Sequence, residues 1–168
     1  MYNKKLLFTA KAGIIAAVYT VLTMVSALFG LSSGVIQVRI SEALSFLPFF
    51  TPAAIPGLTI GCLISNMLAG GVPLDIVFGS VATLIGAVFA YFVGKLFKKR
   101  ILLGAYISTI PNVISNTLII PFVLKMAYGV KDAIPFLMLT VGIGELIACV
   151  GLGILLITAL KNKFHLLK

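Results

Sequence analysis

The stretch AGIIAAVYTVLTMVSALFGLSSGVIQV, residues 12–38, contains no Asp, Glu, Lys or Arg, and residues 43–74 contain none either. Over the 168-residue chain, 61% of the residues are hydrophobic and 10% are charged. A soluble domain is about 45–50% apolar and about 25% charged. A soluble core of this size cannot bury such an excess of apolar residues, so we expect the chain to lie in a lipid bilayer as a multi-pass protein of the cell membrane.

Only helices and closed barrels satisfy their backbone hydrogen bonds in lipid. The apolar runs of this chain are continuous rather than alternating, which excludes a barrel. We therefore predict an all-α integral membrane protein, a six-transmembrane-helix bundle that forms one domain over residues 1–168. The basic N-terminal segment resembles a signal peptide. The apolar run that follows is too long for one, so we interpret it as a retained transmembrane span. The predicted spans are residues 6–28, 35–50, 53–68, 75–97, 101–126 and 133–160.

The second predicted span is short, since sixteen α-helical residues cover only about 24 Å. It would also suit a re-entrant or surface helix. Without this crossing, however, the basic cluster at residues 95–100 would move to the outside, against the positive-inside rule. We therefore expect six crossings with the N- and C-termini in the cytoplasm. The basic residues on the cytoplasmic side are then Lys4, Lys5, Lys11, Lys95, Lys98, Lys99, Arg100, Lys161, Lys163 and Lys168.

Arg39 and Glu42 interrupt the long apolar region, and charges inside a membrane usually mark a functional site. The predicted topology brings further polar residues to the outer half of the bundle, where they would form a substrate pocket open to the exterior. Glu145 stands out because it is the one charged residue in the last span. The predicted substrate-binding residues are Arg39, Glu42, Asn66, Asp75, Asn112, Asn116 and Glu145.

Each of these residues also has a structural interpretation. Arg39 and Glu42 could form a local ion pair, and Asp75 and Asp132 could only cap the starts of their helices. The three asparagines could be hydrogen-bond glue between helices. These alternatives stay open at the level of the sequence.

The first span carries small residues at a spacing of four, which lets another helix approach closely. Ala12 pairs with Ala16, and Gly13 pairs with Ala17. This pattern favours either packing within the bundle or docking to a partner subunit.

Several classes of protein are excluded or disfavoured by missing motifs. The sequence has no P-loop, no HExxH and no GxSxG, so an enzyme is not expected. Cys62 and Cys149 are expected to be small buried residues, and no metal or cofactor site is predicted. His165 is expected to be an interfacial residue of the basic tail. The net charge of +9 is assigned to topology and to anionic membrane lipid rather than to nucleic acid.

The segments QVRISEAL (residues 37–44), PAAIPG (residues 52–57) and GCLISN (residues 61–66) resemble the QueT group. This group comprises the queuosine-precursor S components, or substrate-binding subunits, of energy-coupling factor (ECF) transporters. The six predicted helices and the chain length also resemble S components in general. The resemblance covers the whole chain in architecture, and its specific part is residues 36–66.

The resemblance implies that the chain binds queuine or another 7-deazaguanine from outside. It implies a transmembrane coupling subunit and two cytoplasmic ATPases as partners, which would use ATP to drive uptake. The Ala12/Ala16 pair would match the docking motif for the coupling subunit. A carboxylate could accept the N–H donors of the ring, and Tyr106 or Phe residues of the fourth and fifth predicted spans could stack on it.

Three other functions remain open. The cargo could be another vitamin or nucleobase. The chain could be a stand-alone proton-coupled carrier that uses Glu145. It could also be an assembly subunit without a ligand.

Overall fold

The computed structural model describes residues 3–31 and 37–164, and all regular secondary structure in these residues is helical. His165, predicted to be interfacial, lies outside the described residues. The chain forms α1, α2, α3, α4, α5 and α6, together with a short 3-10 helix between α1 and α2. Their bounds are Lys4–Leu28 (α1), Ile40–Phe49 (short 3-10 helix), Ala54–Leu68 (α2), Pro73–Leu96 (α3), Ile101–Ile107 (α4), Ile110–Ala127 (α5) and Ile134–Lys163 (α6).

Within residues 3–31 and 37–164, four segments are long and apolar enough to cross a membrane, namely α1, α3, the combined stretch Ile101–Ala127, and α6. Their outward faces carry many exposed large apolar side chains, including Val21, Phe89 and Leu155. Such faces are stable in lipid but not in water. The protein is therefore a multi-pass membrane protein.

The second predicted span differs from the expectation in length and in helix type. The sequence suggested a helix over residues 35–50, whereas the structure has a ten-residue 3-10 helix, Ile40–Phe49. Residues 35 and 36 lie outside the described residues. A 3-10 helix rises about 2.0 Å per residue, so this one is about 20 Å long, short of the about 30 Å hydrocarbon core. Pro48 lies inside it, where the missing N–H group disfavours a regular α-helical ladder.

The short 3-10 helix lies in the centre of the bundle, with every residue from Ser41 to Pro48 buried. Glycines of the surrounding helices allow this close packing. A Cβ atom at Gly94 of α3 would lie 2.7 Å from the Phe49 carbonyl oxygen. A Cβ atom at Gly144 of α6 would collide with the Gln37 carbonyl oxygen. The short helix and the residues just before it are therefore held by close backbone contacts that larger residues would prevent.

The third and fourth predicted spans match α2 and α3 closely. The fifth contains a break, because α4 ends at Ile107 and α5 begins at Ile110. Pro111 stands in the first turn of α5, where its missing N–H group needs no partner. Pro121 was expected to interrupt this span as well, but α5 continues through it to Ala127.

The last predicted span matches α6, which changes its geometry near the middle. It is α-helical to Glu145, π-helical over Leu146–Leu152 and α-helical again from Gly153. The prediction that Asp132 caps this helix was wrong. Ala133 occupies the N-cap position, and Asp132 is exposed one residue before it. Pro135 in the first turn has no N–H group, so the helix start needs fewer caps.

The chain order gives the bundle two distinct ends. The end of α1, the end of α2, the start of α3, the end of α5 and the start of α6 meet at one end, which we call the loop-rich end. The start of α1, the end of α3 and the end of α6 lie at the other, about 36 Å away along α3. The second end carries most of the basic residues, and we call it the basic end.

Candidate solute-binding site

A cavity of about 540 Å³ lies at the loop-rich end. It reaches the surface beside the exposed residues Ala69 and Gly70, which join α2 to α3. A volume of this size falls within the about 300–1,000 Å³ that is common for small-molecule sites. Its polar lining consists of Thr23, Gln37, Arg39, Asn66, Asp75 and Tyr128.

A second, much smaller space of about 20 Å³ shares Gln37 and Arg39 with this cavity. We call it the crevice. It has room for about one water molecule and none for a ring. The crevice is lined by Gln37, Arg39, Glu42, Cys62, Gly79, Thr83, Asn116, Ile120, Val141 and Glu145.

Arg39 forms the partition between the cavity and the crevice. One guanidinium nitrogen donates to the Asn66 side-chain oxygen at 3.0 Å, and the other donates to the Gln37 side-chain oxygen at 3.3 Å. Asn66 in turn donates to the Cys62 sulfur at 3.6 Å. The hydrogen bonds of Arg39 therefore run to α2 and to its own loop, rather than to Glu42.

Glu42 is the hub of a buried hydrogen-bond network. The Tyr19 hydroxyl donates to one carboxylate oxygen, and the Asn112 amide donates to the other at 2.7 Å. Only 3% of Glu42 is exposed, so a carboxylate without these partners would be costly. The hydrogen bonds to Glu42 thus come from neutral donors of α1 and α5, rather than from Arg39 as in the alternative of a local ion pair.

Glu145 belongs to the same network through a thiol. The Asn112 amide lies 3.3 Å from the Cys149 sulfur, and this thiol donates to Glu145 at 3.2 Å. Asn116 lines the crevice beside Glu145. Donor atoms of Glu42, Glu145 and Cys149 lie within 4.8 Å of one another, a spacing that a metal ion could bridge. Because the hydrogen bonds already engage these atoms, the cluster needs no metal for its cohesion.

Asp75 lies in the first turn of α3 and lines the large cavity. The N-cap position belongs to Val72, and the Asp75 carboxylate accepts a 2.9 Å hydrogen bond from the Tyr128 hydroxyl. Tyr128 follows the end of α5 and is 46% exposed. Desolvation and the bond to Asp75 raise the pKa of Tyr128 above its usual value. The hydroxyl therefore stays protonated and can keep donating.

Two glycines of α3, Gly79 and Gly86, leave space for the side chains of Asn66 and Asn112. A Cβ atom at Gly79 would lie 3.0 Å from the Asn66 amide nitrogen. One at Gly86 would lie 2.7 Å from the Asn112 Cα atom. The seven-residue spacing of these glycines places them on one face of the helix. Their absent side chains let α2 and α5 bring polar groups close to α3.

The structure thus brings all seven predicted residues into one region, at two levels. Arg39, Asn66 and Asp75 line the cavity, and Arg39 also borders the crevice. Glu42, Asn116 and Glu145 border only the crevice, and Asn112 lies behind Glu42. Contact of these residues with a solute stays a prediction.

Sequence reasoning missed Tyr19, Gln37 and Tyr128. The sequence does contain a pattern that indicates Tyr19, because Tyr19, Thr23 and Ser26 recur at helical spacing on one face of α1. All three residues are buried. Tyr128 stands after the helix and gave no such signal. Tyr106, one candidate for stacking on the ligand, instead contacts Thr158 and packs against a buried apolar cluster that includes Phe46 and Ile157.

The small residues of α1 separate into two faces. A Cβ atom at Gly57 would lie 2.9 Å from the Ala12 carbonyl oxygen, and one at Gly61 would lie 2.9 Å from the Ala16 carbonyl oxygen. Ala12 and Ala16 therefore serve the packing of α1 on α2. Gly13 and Ala17 are exposed on the other face.

A multi-pass membrane protein with a polar cavity at one end has the form of a solute transporter. Comparison with known proteins supports assignment to this class. The family described as "QueT transporter" matches residues 9–162, and the chain belongs to this family. It is thus a transport protein rather than an enzyme.

One curated relative is the "Queuosine precursor transporter QueT" of Lactococcus lactis subsp. cremoris (strain MG1363). It is 44% identical over 72 residues, which make up 43% of this chain and 42% of the relative. The aligned part thus spans less than half of the relative's length. No solved structure matches the chain.

Proposed function

We propose that this chain is the substrate-binding subunit of an ECF-type importer and binds a queuosine precursor, queuine or a related 7-deazaguanine. The observation that carries the proposal is the polar cavity of about 540 Å³ in a chain of the QueT family. The printed name of the curated relative supplies the substrate class.

In this proposal the chain is one domain over residues 1–168 that crosses the membrane six times, with both termini in the cytoplasm. The distribution of charge supports this orientation. The cavity lies at the loop-rich end, and the basic cluster Lys98, Lys99 and Arg100 lies at the opposite end. By the positive-inside rule the basic end faces the cytoplasm, so the cavity opens to the outside. The short helix with its flanking residues would form the second crossing. The helix α2 with its flanking residues would form the third.

The ring of the substrate would lie in the cavity, because the crevice is too small to admit it. The Arg39 guanidinium is placed to donate to the ring carbonyl. The side-chain oxygen of Asn66 can accept a further hydrogen bond from a ring N–H group. Tyr128 offers an aromatic face at the wall.

The residues beneath the cavity would act through Arg39 rather than by direct contact. Glu42, Asn112, Asn116 and Glu145 form the polar floor under the partition. Their carboxyl and amide groups keep the crevice polar, so that Arg39 and Gln37 keep their orientation. A wrong solute would leave polar groups of the cavity, such as the Arg39 guanidinium, without a partner, at a cost of about 1–3 kcal/mol per group.

Energy for uptake would come from partners, namely a transmembrane coupling subunit and two cytoplasmic ATPases. The chain itself would need no cofactor, in keeping with its lack of a P-loop motif. Gly13 and Ala17 are exposed small residues of α1 at a spacing of four and would form the docking face for the coupling subunit. This moves the expected docking face away from Ala12 and Ala16, which pack on α2.

The proposal is tested by a thermal-shift panel with the purified protein and no nucleotide. The panel contains queuine, 7-aminomethyl-7-deazaguanine, guanine, thiamine and riboflavin. A ligand that binds only the folded state raises the melting temperature, and we expect this for the two 7-deazaguanines. A shift with thiamine or riboflavin alone would assign a different cargo.

A stand-alone proton-coupled carrier is the second candidate function. The observation that favours it is the spacing of Glu42 and Glu145, whose carboxylate oxygens lie within 4.8 Å inside the membrane. Two carboxylates so close cannot both ionise easily, so they can hold a proton. Uptake into liposomes driven by a pH gradient, without partner proteins, would support this function. Dependence of uptake on partners and ATP would exclude it.

A further inference from the structure

We infer that Asp75 selects precursors whose side arm carries a positive charge, such as an aminomethyl group, over neutral forms of the same ring. This inference rests on the proposed function. It assigns to one residue the distinction between ligands that share a ring and differ only in the charge of the arm.

The distribution of charge in the cavity supports the inference. Among the described residues that line it, Arg39 carries the positive charge and Asp75 carries the negative charge. Arg39 stands at the partition, whereas Asp75 lies on α3 beside Gly71 of the α2–α3 loop. An ammonium group beside Arg39 would meet a like charge. The ring therefore faces Arg39, and the charged arm extends toward Asp75.

The chemistry of Asp75 suits an ammonium ligand. A carboxylate offers about four acceptor positions, and the Tyr128 hydroxyl occupies one of them. The start of α3 stabilises an anion in its first turn. An ammonium group can then form a short charge-assisted hydrogen bond, about twice as strong as a neutral one. A neutral arm gains nothing comparable from this residue.

A role in capping the helix does not account for this side chain. The N-cap residue of α3 is Val72, and Pro73 stands in the first turn. Proline has no N–H group, so one of the groups that a cap would satisfy is absent. The hydrogen bond given to the Asp75 carboxylate comes from Tyr128, 53 positions away in the chain. The carboxylate thus faces the cavity wall rather than its own helix end.

The test compares two ligands that share the ring, cationic 7-aminomethyl-7-deazaguanine and neutral 7-cyano-7-deazaguanine. Binding is measured by titration calorimetry with the purified full-length chain. We expect Asp75→Asn to weaken the aminomethyl ligand about tenfold or more and to leave the cyano ligand within about twofold. Asp75→Glu should retain the preference for the cation. Asp132→Asn is the matched control, because it removes an exposed acid near the same end of the bundle.

The outcomes separate the inference from the proposed function. Equal weakening of both ligands by Asp75→Asn, or no weakening of either, would overturn the inference and leave the function standing. Failure of the wild-type chain to bind either ring would overturn both. Asp75→Ser is made in parallel as a second uncharged variant, so that misfolding of one variant does not decide the result.

Discussion

The Asn112 amide donates a 2.7 Å hydrogen bond to the Glu42 carboxylate, which lies 70 positions earlier in the chain. The Tyr19 hydroxyl donates to the other oxygen of the same carboxylate. One buried acid thus ties α1 and α5 to the short 3-10 helix. Because the short helix is too short to be anchored by a long apolar face, this network fixes its position beneath the cavity.

Replacing Asn112 with Ala should lower stability, since it leaves one Glu42 oxygen without a donor. We expect a loss of about 1–3 kcal/mol, read as a lower melting temperature in detergent. The matched experiment repeats Asn112→Ala in a Glu42→Ala background, which lacks the acceptor and therefore measures the coupling between the two residues. An equal loss in both backgrounds would show that the hydrogen bond does not contribute.

The close approach of α3 to Asn112 gives a second prediction. Gly86→Ala would place a Cβ atom 2.7 Å from the Asn112 Cα atom, and overpacking of this kind costs about 1–3 kcal/mol. We expect a clear fall in melting temperature. Gly13→Ala is the control, because a Cβ atom there meets nothing within 4 Å. Equal melting temperatures for the two variants would contradict the packing described here.

Much of the fold could be predicted from the sequence because lipid leaves few choices. Long apolar runs gave α1, α3 and α6 nearly at their observed bounds. The short 3-10 helix could not be predicted in the same way. An apolar run with Pro48 is compatible with a short span or a buried segment, and the outcome depends on glycines of other helices, such as Gly144.

The faces of α1 lead to a prediction about partner association. Gly13→Leu combined with Ala17→Leu should weaken capture of the coupling subunit and leave solute binding intact, because both residues are exposed. Co-purification with the coupling subunit measures the first effect, and a thermal-shift assay measures the second. Ala12→Leu with Ala16→Leu should instead destabilise the protein, since these residues face α2. Normal capture by the Gly13/Ala17 variant would exclude this docking face.

Tyr128→Phe should tighten binding of the cationic ligand, because the hydroxyl no longer offsets part of the negative charge of the Asp75 carboxylate. We expect a gain of a few fold in affinity. Burial and Asp75 raise the pKa of Tyr128, so the hydrogen bond is present at low pH and is lost only above the raised pKa. The gain should therefore be the same from about pH 6 to about pH 9. A gain that changes across this range would contradict the assignment.

The sequence predicts which residues belong to the candidate site. It does not predict whether each of them lines the cavity or the crevice. Charges and amides in apolar runs identified Arg39, Glu42 and Glu145 as exceptional residues. Their separation into a cavity and a crevice depends on side-chain packing around Arg39, which leaves no periodic pattern. Tyr128 contributes through a loop contact to Asp75, and such contacts between distant residues cannot be read from spacing.

In the proposed function, the cavity of about 540 Å³ holds the solute. The most direct measurement is the affinity for 7-aminomethyl-7-deazaguanine of the wild-type chain, Ala69→Trp and Leu68→Trp. Ala69 lines the cavity and is exposed, whereas its exposed neighbour Leu68 does not line it. We predict that Ala69→Trp lowers the affinity at least about tenfold, which is about 1.4 kcal/mol, while Leu68→Trp binds like the wild type. Wild-type affinity in a folded Ala69→Trp variant would contradict the assignment of this cavity.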